Sequence, residues 1–293
     1  MKFAGQRLRM GVAGIALGVT LTACGQAAQE PGGTATADLG IGHVHGLGVD
    51  PADGALYVAG HHGLFRITSP TAATRVADRD QDHMGFTIMG PKTFLASGHP
   101  SAEDVSPERP PHLGLIKSTD SGLTWKTVSE GGSADFHSIQ PAGDNLYAYD
   151  SQTSKVWRSI DGGATWTKGT EEKVIDLGAS AEQASRIYAT TPDGLKVSED
   201  GGLNYDDLTK APPLSHVDVL PGEVLVGAGA DGRVHISQDS GETWSAAGRL
   251  PAQAAAFAAV DRQHLLAALE DGTVLESKDG GKTFTTAYSP TAK

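Results

Sequence analysis

The chain predicts an all-β protein built as one six-bladed β-propeller, and three observations carry that reading. An eight-residue turn, Ser-x-Asp-x-Gly-x-Thr-Trp or a close variant, begins at Ser118, Ser159, Ser198, Ser237 and Ser277, with starts 41, 39, 39 and 40 residues apart. A fixed period near 40 marks propellers and solenoids. Each copy follows a short alternating run such as Lys155-Val-Trp-Arg158, the pattern of a half-buried strand. The stretch from His43 to Tyr288 holds six four-strand units, and closing them into a ring removes exposed sheet edges.

Taken from the start, residues 1–23 carry basic Lys2, Arg7 and Arg9, then an apolar run from Met10 to Leu21 that is too short to cross a bilayer. A secretory signal is the expectation. Its end, Leu21-Thr-Ala-Cys24, resembles the bacterial lipobox, which implies cleavage before Cys24, lipidation of that thiol and an extracytoplasmic protein held at the cell membrane by its lipid. Cys24 is the single cysteine, so no disulfide is expected in an exported domain. Residues 24–40 are rich in Gly, Ala, Thr and Gln and read as a flexible linker ahead of a propeller spanning 41–289. The 23 basic residues fall to 20 when the three in the signal leave, against 35 acidic, which moves the net charge from −12 to −15. That balance disfavours nucleic acid and anionic lipid as partners.

The blades are expected at 43–77, 83–129, 135–169, 174–209, 216–249 and 255–288, with innermost strands starting near His43, His83, Asp135, Val174, His216 and Ala255. Blade one keeps its third strand, Gly63-Leu-Phe-Arg-Ile-Thr68, but its turn has decayed to Ser69-Pro-Thr-Ala-Ala-Thr74. In the five intact turns Asp120, Asp161, Asp200, Asp239 and Asp279 have a structural role: Asp and Ser hydrogen-bond turn amides, Gly supplies a positive φ, and the closing aromatic packs back over the hairpin. One carboxylate per turn falls short of a calcium cage.

Strand order places these turns on one face and the starts of the first strands on the other. His43, His45, His61, His62, His83, His99, His112, His137 and His216 gather at that second rim, with Asp82, Asp135, Asp150, Asp176 and Asp218. A long interruption of the repeat, from His99 to His112, joins the same rim. Side chains two apart on a strand share a face, so His43 with His45, Asp135 with His137 and His216 with Asp218 form pairs. Imidazole beside carboxylate suits copper or zinc, with His43, His45, His83 and His137 as candidate ligands and Met84 favouring copper. The alternative is a polar channel mouth in which His43, His45, His61, His83, His99, His137 and His216 bind a small organic molecule, a glycan or a protein.

The repeated turn resembles the Asp-box, or BNR, repeat of sialidases and related propellers. With His43-Val-His-Gly-Leu-Gly48, Asp82-His-Met-Gly-Phe86, Ser97-Gly-His-Pro100, Gly114-Leu-Ile-Lys-Ser-Thr-Asp120 and Asp135-Phe-His137, most of the chain after the signal resembles bacterial Asp-box lipoproteins labelled glycosyl hydrolase or exo-α-sialidase-like. The resemblance implies a second reading, glycoside hydrolysis by a pair drawn from Asp82, Asp135, Asp150, Asp176 and Asp218. Sialidase chemistry itself needs an arginine cluster, and Arg79, Arg109, Arg233 and Arg249 do not start innermost strands; Phe65-Arg-Ile-Thr68 lies on a third strand and ends in Thr rather than Pro. A binding or assembly role with a histidine site is the leading expectation.

Overall fold

The computed structural model describes residues 40–101 and 110–290. The expected signal, Cys24, nearly all of the linker, and Arg109 within the long loop lie outside them. The described residues form six four-stranded antiparallel sheets, each made of strands consecutive in sequence. The inner strands are Val44–Asp50, Asp82–Gly90, Phe136–Ala142, Asp176–Ala179, Leu214–Leu220 and Ala254–Ala259. Each contacts the next and the sixth contacts the first, so the ring closes.

Closure needs no exchanged strand. Ile41, Val44, Leu47, Val58 and Phe65 of the first blade pack directly on Ala256, Leu266, Ala268, Val274 and Tyr288 of the last. Similar apolar layers fill the other gaps between blades, and this burial is the main stabilising term.

The repeated turns sit where the third strand hands over to the fourth. In all five copies the Ser hydroxyl accepts the amide of the Gly four residues on, at 2.8–2.9 Å. The Asp carboxylate accepts the amide of the residue four on, at 2.8–2.9 Å. The Gly is obligatory: Gly163 has φ 92°, and a Cβ there would lie 2.1 Å from a methyl of Leu115. The clasps at Gly122 and Gly163 thus wedge their Gly against a leucine of the preceding blade, Leu64 and Leu115. Ser159→Ala should leave the buried Gly163 amide without its acceptor, a loss of about 1–3 kcal/mol. Thermal melting checks this, and the histidine face should bind its ligand as before.

Other carboxylates tie strands together. Asp50 accepts the amide of Lys92 at 3.0 Å and the hydroxyl of Ser121 at 2.7 Å, joining blades one and two. Asp176 and Asp218 do the same further round, accepting the amides of Val217 at 3.1 Å and Ala259 at 2.6 Å. Asp150 is fully buried and accepts the amides of Asp135 and Thr153 at 2.9 and 3.0 Å. Three of the five carboxylates expected as catalytic candidates therefore have backbone amides as partners.

Candidate functional site

The site grows from three equivalent positions in three neighbouring blades. The first is the residue at the start of the inner strand: His43, Asp82 and Asp135. The second is the end of the second strand opposite it, where His61 donates its amide to the His43 carbonyl at 3.2 Å, His99 pairs with Asp82, and Ser151 donates to the Asp135 carbonyl at 3.0 Å. The third is a β-bulge. In blade one the register passes from Val44–Gly60 to Gly46–Ala59, leaving His45 as an extra residue. The same skip leaves Met84 extra in blade two and His137 extra in blade three. A bulge re-aims the side chain it carries, here into the channel. His45, Met84 and His137 all line a central channel of about 640 Å³, along with Asp176, His216 and Asp218.

That register explains where His83 goes. It occupies the position held by Val44, Phe136, Leu214 and Ala254 in other blades, which points into the core. His83 is 1 % exposed and its ring lies 5.3 Å from that of Trp125. Burial pushes its pKa down to about 4. The expectation that His83 joins the other histidines at the rim is corrected: one residue of slip moves a side chain to the other face, and Met84 holds the channel position instead. His83→Leu should therefore leave ligand affinity within about twofold while preserving or raising the melting temperature. A large affinity loss measured by calorimetry would contradict this placement.

The remaining side chains converge. The rings of His43, His45 and His61 lie 4.7–5.7 Å apart. His45 Nε2 faces Asp82 Oδ1 at 3.7 Å, too far for a hydrogen bond, and neither atom has another partner despite burial. One ligand atom from each of His45, His61 and Asp82 falls within 4.8 Å of the others. Tetrahedral zinc with ligands at about 2.0–2.1 Å sets ligand atoms about 3.3 Å apart, so small side-chain adjustments suffice for coordination. Burial, followed by the neighbouring imidazoles of His61, His43 and His137, pushes the His45 pKa down to about 3. His45 is neutral at physiological pH, the state in which imidazole coordinates.

On the other side of Asp82, His99 Nδ1 lies 3.6 Å from Asp82 Oδ2, and His99 Nε2 lies 3.5 Å from Asp135 Oδ2. The His112 ring lies tilted beside that of His99, with centroids 5.4 Å apart. Burial favours the neutral acid at Asp135, but hydrogen bonds from His137 and Ser151 and the charges of His137 and His99 outweigh it and hold the pKa at about 2. Asp135 is therefore a carboxylate. His216 also lines the channel, yet it belongs to blade five, where its Nδ1 meets Ser215 Oγ at 3.1 Å. Of the expected ligand-binding set, the structure gathers His43, His45, His61, His99 and His137, and leaves His83 and His216 apart.

No family model matches the chain. The xyloglucanase of Hypocrea jecorina (strain QM6a) is 23 % identical over 214 residues, which cover 63 % of this chain and 23 % of that protein. The chain thus spans about a quarter of its curated relative. Among solved structures, one chain of a nidogen/laminin complex superposes with a TM-score of 0.61 at 12 % identity, covering 80 % of this chain and 93 % of that one. The Niastella koreensis GH74 enzyme gives 0.54 at 16 %, covering 84 % and 45 %. YCF48 bound to D1 peptide gives 0.51 at 16 %, covering 84 % and 82 %. A GH74 enzyme, a peptide-bound protein and a chain of a two-protein complex share this architecture, so the likeness establishes the fold alone and leaves its use to the site.

Proposed function

We propose that this chain is a lipid-anchored, extracytoplasmic binding protein of the Asp-box type whose propeller holds a transition-metal ion, zinc or copper, at the histidine face. The observation that carries the reading is the convergence of His45, His61 and Asp82 around His45 Nε2 and Asp82 Oδ1, two buried polar atoms without hydrogen-bond partners. Two imidazoles and one carboxylate are a ligand set of borderline softness, suited to zinc and copper rather than calcium or magnesium. Three protein ligands leave a fourth position for water or an exogenous group. His43 lies close enough to assist, and its Nδ1 contacts Glu270 at 3.1 Å. Met84, in the bulge row between His45 and His137, adds a thioether that favours copper(I).

Calorimetric titration of metal-free, tag-free protein with zinc and with copper tests the reading. Saturable heat with either ion supports it, and the absence of heat with both overturns it. The anchor rests on the Leu21–Cys24 segment: Cys24→Ser should move the protein from the membrane fraction to the soluble extracytoplasmic fraction. Retention in the membrane would show that something else holds it.

Glycoside hydrolysis is the second reading, favoured by the sequence likeness to a xyloglucanase. With Asp150, Asp176 and Asp218 bound to backbone amides, Asp82 and Asp135 are the pair it would use. Release of reducing sugar from xyloglucan by wild type, lost in Asp82→Asn, would favour hydrolysis over binding.

A further inference from the structure

We infer that the face carries a second transition-metal site, formed by His99, His112 and Asp135, and that the Asp82–His99 contact couples it to the site at His45, His61 and Asp82. One ligand atom from each of these three residues lies within 4.8 Å of the others, as in the first cluster. A second observation, independent of that clustering, also points to a cation. Asp135 is 3 % exposed, and its Oδ1 has no hydrogen-bond partner, while its Oδ2 is met by His137, Ser151 and His99. His112 Nδ1 is likewise buried without a partner. Buried acceptors left unsatisfied are costly, and a cation held between a carboxylate and two imidazoles satisfies them. Each neutral imidazole has one acceptor nitrogen for such an ion.

The coupling follows from His99, whose two nitrogens face different carboxylates. Nδ1 is directed to Asp82 Oδ2 at 3.6 Å and Nε2 to Asp135 Oδ2 at 3.5 Å. A carboxylate behind a metal-bound imidazole fixes its tautomer and raises its basicity. At 3.6 Å Asp82 stands just beyond hydrogen-bond distance of His99 Nδ1, so it supports the second site through its charge, and it is also a ligand of the first. An ion in the first site draws the Asp82 charge to itself, weakens its support of His99, and repels a second dication across a partly desolvated gap. The two ions therefore bind with unequal affinity. The coupling rests on the first site being a metal site, whereas the second site has ligands of its own.

Zinc titration of metal-free, tag-free protein, with bound metal counted after equilibrium dialysis, separates the possibilities. Wild type should bind two equivalents, His61→Ala and His112→Ala one each, and the double variant none. His61 is exposed and His112 half-buried, so both variants should fold, with His112→Gln as a volume-conserving control. The ion remaining in His61→Ala should bind on the order of 10-fold tighter than the weaker ion of wild type. A single equivalent lost in His61→Ala but kept in His112→Ala refutes the second site and leaves the first standing. A single equivalent with the opposite behaviour refutes the first site and, with it, the coupling. Two equivalents whose affinities ignore the other site refute the coupling, and no bound zinc refutes both sites.

Discussion

His45→Ala should weaken zinc binding at the first site by more than about 100-fold, because it removes a ligand rather than an outer support, and loss of supports alone costs 10–100-fold. The effect is expected to fall on His45 more than on its neighbours for a structural reason. His45 is the bulge residue, its orientation set by the backbone and by burial, whereas His61 sits exposed at a strand turn. Its low pKa keeps it available as a neutral donor well below physiological pH. Competition titration against a chromophoric chelator measures the change. The same experiment on His83→Leu should show wild-type affinity, since His83 faces the core.

The second large effect is a stability gain on removing a buried carboxylate that is present at high pH and absent at low pH. Asp176 and Asp218 lie along the channel wall, where burial pushes both pKa values up to about 7; at Asp218 the neighbouring Asp176 adds to the rise. The folded chain thus holds protons on these groups between about pH 4 and 7 that the unfolded chain has released. Their stabilising contribution is complete below about pH 4 and is lost as the pH rises through 7. Asp218→Asn keeps a carbonyl acceptor for the Ala259 amide but cannot ionise. It should therefore be more stable than wild type at pH 8, by roughly 2–4 kcal/mol, and equal to it at pH 4. The difference between variant and wild type is the quantity to follow. Burial pushes His45, His83 and His216 down to about 3, 4 and 4, so those groups reduce stability as pH falls below 6.5 and overlay the carboxylate effect in either protein alone. Denaturant melts of the two proteins at both pH values decide it, and parallel curves with a constant offset would reject the account. Asp176→Asn should behave alike.

Much of this was legible in the chain because a repeat reports its own geometry. The spacing of Ser118, Ser159, Ser198, Ser237 and Ser277 locates the third strand of five blades, and the hydrogen bonds of each turn follow from the residue types. The gathering of His43, His45, His61, His99 and His137 was legible too, since topology alone brings strand starts and second-strand ends to one rim. What alternation could not report was the bulge. A period-2 reading places His43 and His45 together and treats His83 as their counterpart, yet the extra residue in each strand makes Met84 the counterpart of His45 and His137. Aligning His45-Gly-Leu47, Met84-Gly-Phe86 and His137-Ser-Ile139 by their following apolar residue would have found it. The carboxylates were ambiguous for another reason: an Asp that clips a neighbouring strand and an Asp that binds a ligand can occupy adjacent places, and only the amides of Val217 and Ala259 distinguish them.

Anomalous diffraction at the zinc edge from crystals of zinc-loaded protein locates any ion in the space between His45 Nε2, His61 and Asp82. A peak is expected about 2.0–2.2 Å from His45 Nε2 and from an Asp82 oxygen, with His61 completing the protein ligands. Zinc-edge peaks confined to other surfaces, with His45 and Asp82 still 3.7 Å apart and nothing between them, would contradict it.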